Sequence, residues 1–196
     1  GDGLSESSMA NALEAAARQG PVRLAYVETP ANPTNALIDL AALARQIDAF
    51  EARHGQRPFS VCDNTLMGPI FQQPGAHGID LSVYSLTKYV GGHSDLVAGG
   101  LTGPRTLVDK VRATRGAYGS QLDPHSAWML TRSMETVVLR MRQAAQSAST
   151  VARWLAGNPH QKLLVHHPEQ VADAAYQAVY QRQCSAAGST FSFVLE

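Results

Sequence analysis

The sequence predicts an α/β protein in which a mostly parallel sheet is covered by helices. Three observations carry this expectation. Strand-like and helix-like segments alternate along the chain with short turns between them, the order that builds parallel sheets. Three of the strand-like segments run directly into polar clusters, as strands do whose carboxyl ends border a ligand cleft. The 196 residues, 44% apolar and 16% charged, are enough for one domain with a good core, or one domain and part of a second, and exclude a disordered chain.

Each element has a local signal. Residues 6–19 read as a helix stopped by Gly20 and Pro21, residues 22–28 as a strand, and TPANPTN (29–35) as a turn with two prolines. Asp39 stands where it would cap a helix whose Leu40, Leu43, Ile47 and Phe50 recur every three or four residues, and Gly55 closes it. Residues 59–62 form a short strand followed by DNT, residues 81–84 a strand followed by SLTK, and residues 97–101 a further strand. Pro104 fits the first turn of a helix that Gly116 is expected to end. Asp123-Pro124 opens a long helical pattern to Leu155, broken near Ser133, and Gly157-Asn158-Pro159 stops it. Residues 162–166, 171–181 and 190–195 read as strand, helix and strand, the opening of a smaller second domain. The chain stops on FSFVLE, an apolar alternation that reads as a core strand, so a fragment of a longer protein is expected.

Composition removes several function classes. Sixteen basic and sixteen acidic residues cancel, which argues against a nucleic-acid surface or a polybasic membrane anchor. No apolar run approaches the roughly 18 residues of a membrane span, and the polar start lacks the pattern of a signal peptide. Two cysteines are too few for a disulfide scaffold, so a reducing cytoplasm is the default.

The chemistry gathers at three strand ends: Glu28 with Thr29 and Asn32; Asp63 with Asn64 and Thr65; and Ser85, Thr87 and Lys88. Neighbouring strands would bring these clusters into one cleft. Lys88 offers an amine that can form a Schiff base with an aldehyde. Asp63 offers a carboxylate for a protonated ring nitrogen, and Ser85 and Thr87 offer hydroxyls for a phosphate. That set is what pyridoxal 5'-phosphate requires. Plainer readings compete at each position. A lysine after a strand is usually solvated, Asp63-Asn64 and Asn32 alone suit turns, and His93 with Asp95 suits a structural hydrogen bond better than a metal. His166 and His167 are adjacent and point to opposite sides of a strand, so no metal site is expected. Cys62 reads as a small buried hydrophobe, and Met134, Val138, Met141 and Ala145 as core or subunit interface. No GxxxxGK[ST] is present for a nucleoside triphosphatase.

Four stretches carry a resemblance to a known family: YVETPANPTN (26–35), VCDNTLMGPIFQQPGAHGIDLSVYSLTKYVGGHSD (61–95), RSMETVVLRM (132–141) and GSTFSFVLE (188–196). Together they resemble the Cys/Met-metabolism, or trans-sulfuration, family of pyridoxal-phosphate enzymes: cystathionine γ-synthase, the cystathionine lyases, methionine γ-lyase and O-acylhomoserine sulfhydrylase. The resemblance implies an aspartate-aminotransferase-like large domain over residues 1–140 and the start of a smaller α+β domain over residues 141–196. It implies that Lys88 carries the cofactor and moves substrate protons. Asp63 would pair with the pyridine nitrogen, and Ser85 and Thr87 would bind phosphate. Asn32 would lie near the phenolic oxygen, Glu28 would support its turn, and Gly91 and Gly92 would let the backbone pass close to the site. Leu66 and Tyr84 depart from the aromatic and the histidine that the family usually shows there. The resemblance also implies a homotetramer with shared sites and a small amino-acid substrate, with no nucleic-acid or membrane partner. Family parts upstream and downstream are absent, so this stretch alone is expected to be inactive. Chemistry at the γ-carbon is favoured. A β-lyase acting on cystathionine, or a family relic serving in binding or assembly, are the alternatives.

Overall fold

The computed structural model describes residues 2–158 and 163–195. Strands β1 (Leu24–Glu28), β2 (Phe59–Asp63), β3 (Leu81–Ser85) and β4 (Gly99–Thr102) form one sheet in chain order. β1, β2 and β3 are parallel, with Glu28 opposite Asp63 and Asp63 opposite Val83. β4 runs antiparallel to β3, with Gly99 opposite Ser85. The connection of residues 86–98 contains no helix, so the chain doubles back beside β3 instead of crossing over the sheet.

Helices α1 (Glu6–Ala17) and α2 (Leu40–His54) cover one face of the sheet. The α2 stripe of Leu40, Leu43, Ile47 and Phe50 packs with Met9 and Leu13 of α1 and with Cys62 of β2. Asp39 caps α2, its carboxylate accepting the Ala42 N–H at 3.0 Å. Helix α3 (Arg105–Tyr118) runs past its expected stop. Gly116 stays helical, and the chain turns only where Gly119 adopts the left-handed conformation (φ 71°), which relieves the last carbonyls. Asp123 caps α4 (Pro124–Met134), and a break at Glu135-Thr136 separates it from α5 (Val137–Ala156). Gly157 follows α5 as expected, while Pro159 and Lys162 lie outside the described residues. Beyond them, β5 (Leu163–His166) and β6 (Ser192–Leu195) pair antiparallel, and α6 (Ala174–Gln183) lies between them in sequence. α6 starts later than the sequence suggested because Asp173 caps it, accepting the Tyr176 N–H at 2.7 Å. Among the described residues no helix is long and apolar enough to cross a membrane.

A second core lies under α5. Met141 and Ala145 are buried there with Met67, Phe71 and Val90, whereas Met134 and Val138 of the same stripe are exposed. The boundary expected after residue 140 falls inside α5, which is continuous.

Buried amides join the parts. Gln72, 1% exposed, donates to the Thr29 carbonyl at 2.9 Å and to Asn64 Oδ1 at 2.8 Å. It accepts from Gln183 Nε2 at 3.2 Å. Asn35 sends both its amide hydrogens to carbonyls, of His166 and Thr190, at 2.9 Å each.

At the opposite end of the sheet from the three polar clusters, Asp80 accepts from the Ser60 N–H (2.7 Å), the Ser60 hydroxyl (2.8 Å) and Arg57 Nη1 (2.8 Å). Burial opposes its charge, but these donors together outweigh burial and hold its pKa below the ordinary carboxylate value. A lowered folded pKa stabilises the fold above about pH 4, the unfolded value, and the contribution is lost as pH falls through the folded value. Asp80→Asn should therefore lower stability at pH 7 and flatten its acid dependence. Denaturant melts of both proteins from pH 7 to pH 2 check this, and parallel acid slopes would refute it.

Candidate active site

The three polar clusters of the sequence open into one cleft of about 1350 Å³. Glu28, Asn32, Asp63, Ser85, Thr87 and Lys88 all line it. The sheet explains the convergence: β1, β2 and β3 are parallel neighbours about 4.8 Å apart, Glu28 and Asp63 end level, and β3 runs two residues further at the same edge, to Ser85.

Asp63 is held from two sides. Its Oδ1 accepts from the Thr65 N–H at 3.0 Å and the Thr65 hydroxyl at 2.7 Å. Its Oδ2 accepts from Tyr26 Oη at 3.1 Å. Burial, then the nearby Asp63 charge, pushes the Tyr26 pKa up, so its phenol remains a donor at neutral pH. The Thr65 hydroxyl also accepts the Ser85 N–H at 2.8 Å, tying the end of β2 to the end of β3.

Lys88 lies in the turn after β3, where its N–H donates to the Ser85 carbonyl at 3.1 Å. Its side chain is exposed to the cleft. Thr87 is more engaged than expected: its hydroxyl accepts the Ala98 N–H at 2.9 Å and lies 3.4 Å from the Ala98 carbonyl. Glu28 accepts a long 3.4 Å bond from the Asn32 N–H, across the turn that Asn35 anchors. An ammonium, a fixed carboxylate and a serine hydroxyl in one open cleft are a donor set that fits pyridoxal phosphate.

The sequence pointed less clearly to three further residues. Tyr26 alternates with Glu28 along β1, so the two share a face, but its reach to Asp63 depends on the register Tyr26–Val61. Thr65 stood in the DNT cluster without a separate role. Arg140, which also lines the cleft, is far away in sequence and stood in the RSMETVVLRM stretch without a role of its own. The plainer readings hold for others. His93 Nδ1 bonds the Gly91 carbonyl at 2.7 Å. Cys62 is fully buried, and burial pushes its thiol up to about 12.

Comparison with known proteins identifies the family. A family model described as Cys/Met metabolism PLP-dependent enzyme matches residues 4–196. Cystathionine gamma-lyase of Saccharomyces cerevisiae is 35% identical over 85% of this chain and 42% of its own length. L-methionine gamma-lyase of Pseudomonas putida is 37% identical over 94% of this chain and 45% of its own length. The crystal structure of cystathionine gamma synthase from Xanthomonas oryzae pv. oryzae superposes with a TM-score of 0.83 at 30% identity, covering 95% of this chain and 46% of that one. The chain thus spans under half the length of the curated relatives it matches. It belongs to the Cys/Met-metabolism family of pyridoxal-phosphate-dependent enzymes.

Proposed function

We propose that the chain carries the cofactor-holding half of an enzyme that performs γ-elimination or γ-replacement on sulfur amino acids or O-acylhomoserine. The observation that carries this reading is the convergence of Lys88, Asp63 and Ser85 from adjacent strand ends on one cleft. The γ-lyase names of the most similar relatives support the γ-carbon over the β-carbon.

Lys88 would hold the cofactor's aldehyde carbon, Asp63 the proton on its ring nitrogen, and Ser85 and Thr87 its phosphate. Asn32 would stand by its phenolic oxygen on the turn that Glu28 supports. When bound, the cofactor supplies an electron sink for a substrate carbanion. The residues then divide the work. The Lys88 amine takes the proton from the substrate's α-carbon and returns protons where the reaction needs them. Asp63 is held aimed into the cleft, because Thr65 and Tyr26 donate hydrogen bonds to both its oxygens. Residues 1–140 would form a large domain and residues 141–196 the start of a smaller one. Exposed Leu139, Trp154 and Tyr118 support burial in an assembly, proposed to be a homotetramer. Two unpaired cysteines suit a cytoplasmic setting.

The full-length protein loaded with pyridoxal phosphate should show a visible absorbance band that borohydride removes, leaving the cofactor's mass on the Lys88 peptide. Absence of the adduct would return the chain to the binding or assembly reading. Lys88→Ala should lower turnover by at least about 10³-fold, and Asp63→Asn by at least about 10²-fold, in steady-state assays. Unchanged kinetics in either variant would remove that residue's role. Thr65→Val removes the hydroxyl shared by Asp63 and the Ser85 N–H, at about 1–3 kcal/mol. Cofactor affinity, titrated by absorbance into stripped protein, should weaken roughly 5- to 150-fold, which is that energy expressed as an equilibrium.

A further inference from the structure

Arg140 projects from the first turn of α5 and spreads its guanidinium over backbone oxygens of two other segments. Nη1 donates to the Tyr89 carbonyl at 2.7 Å, and Nη2 to the Val90 carbonyl at 3.0 Å. Nη2 also donates to the Ser133 carbonyl at 2.8 Å, and Nε to the Thr136 hydroxyl at 3.1 Å. Tyr89 and Val90 directly follow Lys88. Their segment turns like the start of a helix, with the Gly91 N–H on the Leu86 carbonyl and the Gly92 N–H on the Lys88 carbonyl, each at 2.7 Å. It ends before a second turn forms, and among the described residues the carbonyls of residues 89 and 90 accept no backbone N–H. Arg140 supplies their donors, as basic side chains do at helix C-termini. Among the described residues Arg140 makes no ion pair, so its donors go to these oxygens.

Gly92 provides a second, independent sign of the same fit. Its φ is +76°, and a Cβ built there would lie 1.9 Å from Arg140 Nη1. A methyl group there would push the guanidinium away from the backbone after Lys88, and the left-handed φ adds strain of its own.

We propose that Arg140 is a positioning residue for Lys88. By fixing the two carbonyls after the lysine, it sets the direction in which the turn delivers the amine into the cleft. The proposal rests on the reading of Lys88 as the cofactor-holding residue. A guanidinium is needed because its planar fork spans two successive carbonyls, whereas an ammonium is a point donor.

The test compares full-length wild type, Arg140→Met, Arg140→Lys and Gly92→Ala. In Arg140→Met, backbone hydrogen exchange across residues 86–92 should rise at least about tenfold while α2 exchanges as in wild type. In protein stripped of cofactor, labelling of the Lys88 amine by acetic anhydride, measured by mass spectrometry, should change severalfold. In loaded protein kcat should fall about ten- to a hundredfold with KM little changed, the signature of a misplaced reacting group. Arg140→Lys should recover part of each effect, and Gly92→Ala should reproduce the loosening with Arg140 intact. Unchanged exchange and labelling in Arg140→Met overturn the proposal. If that variant does not fold, wild-type exchange across residues 86–92 in folded Gly92→Ala overturns it instead. Borohydride that leaves no cofactor on wild-type Lys88 overturns the functional reading on which the proposal rests, and is told apart from failure of the brace, in which the adduct forms normally.

Discussion

The buried side-chain amide of Gln72 is the constraint on which the rest of the site depends. A primary amide removed from water without partners costs roughly 2–7 kcal/mol. Gln72 avoids that cost by bonding the Thr29 carbonyl, Asn64 and Gln183 together. Asn64, itself fully buried, returns a bond to the Gln72 carbonyl at 2.9 Å. Gln183 completes the set by bonding the Leu40 N–H and the Ile38 carbonyl. These bonds join the turn after β1, the turn after β2, the start of α2 and the end of α6. None of the four can shift alone without leaving a buried polar atom unpaired.

With those turns fixed, the sheet brings the chemistry together. Parallel pairing brings the ends of β1, β2 and β3 to one edge, and the Thr65 hydroxyl links the last two. The same geometry excludes the competing nucleophile. Cys62 precedes Asp63, so it points to the opposite face, into the core beneath α2, where burial keeps its thiol protonated. Alternation along one strand thus puts the carboxylate toward the cleft and the thiol away from it.

Much of this was legible in the sequence because its causes are local. The cap at Asp39, the stripe on α2, the start at Asp123-Pro124 and the three polar strand ends each follow from neighbours a few residues apart. One helix stop was misread, and what the sequence did not announce has mostly non-local causes. Gly116 carries the residue type of a helix stop without its backbone conformation, which Gly119 adopts instead. The antiparallel turn into β4 depends on a connection whose path no pattern in residues 86–98 announces. Tyr26 reaches Asp63 across a strand pair, and Arg140 reaches Tyr89 across 51 positions. Those contacts exist only once register and packing are set. The charge of an arginine is visible in a sequence, but the carbonyls it will find are not.

The long-range contacts share a direction. The turn bearing Asn32 is held through Asn35 by the carbonyls of His166 and Thr190, and through the Pro33 carbonyl by the Ser192 hydroxyl at 2.7 Å. The turn bearing Asp63 is held through Asn64 and Gln72 by Gln183. The turn bearing Lys88 is held by Arg140, and by a hydrogen bond between Tyr89 and Thr190. Residues 1–140 present every side chain assigned to the cofactor, but residues beyond 160 hold the first two turns and share the third. A turn that must keep backbone carbonyls out of water needs donors from elsewhere; Ser192 and Arg140 supply them to Pro33, Tyr89 and Val90, while at Asn35 the turn's own amide donates to later carbonyls. The side chains that line the cleft thus come mostly from the first 140 residues, while many of the contacts that hold their turns come from later ones.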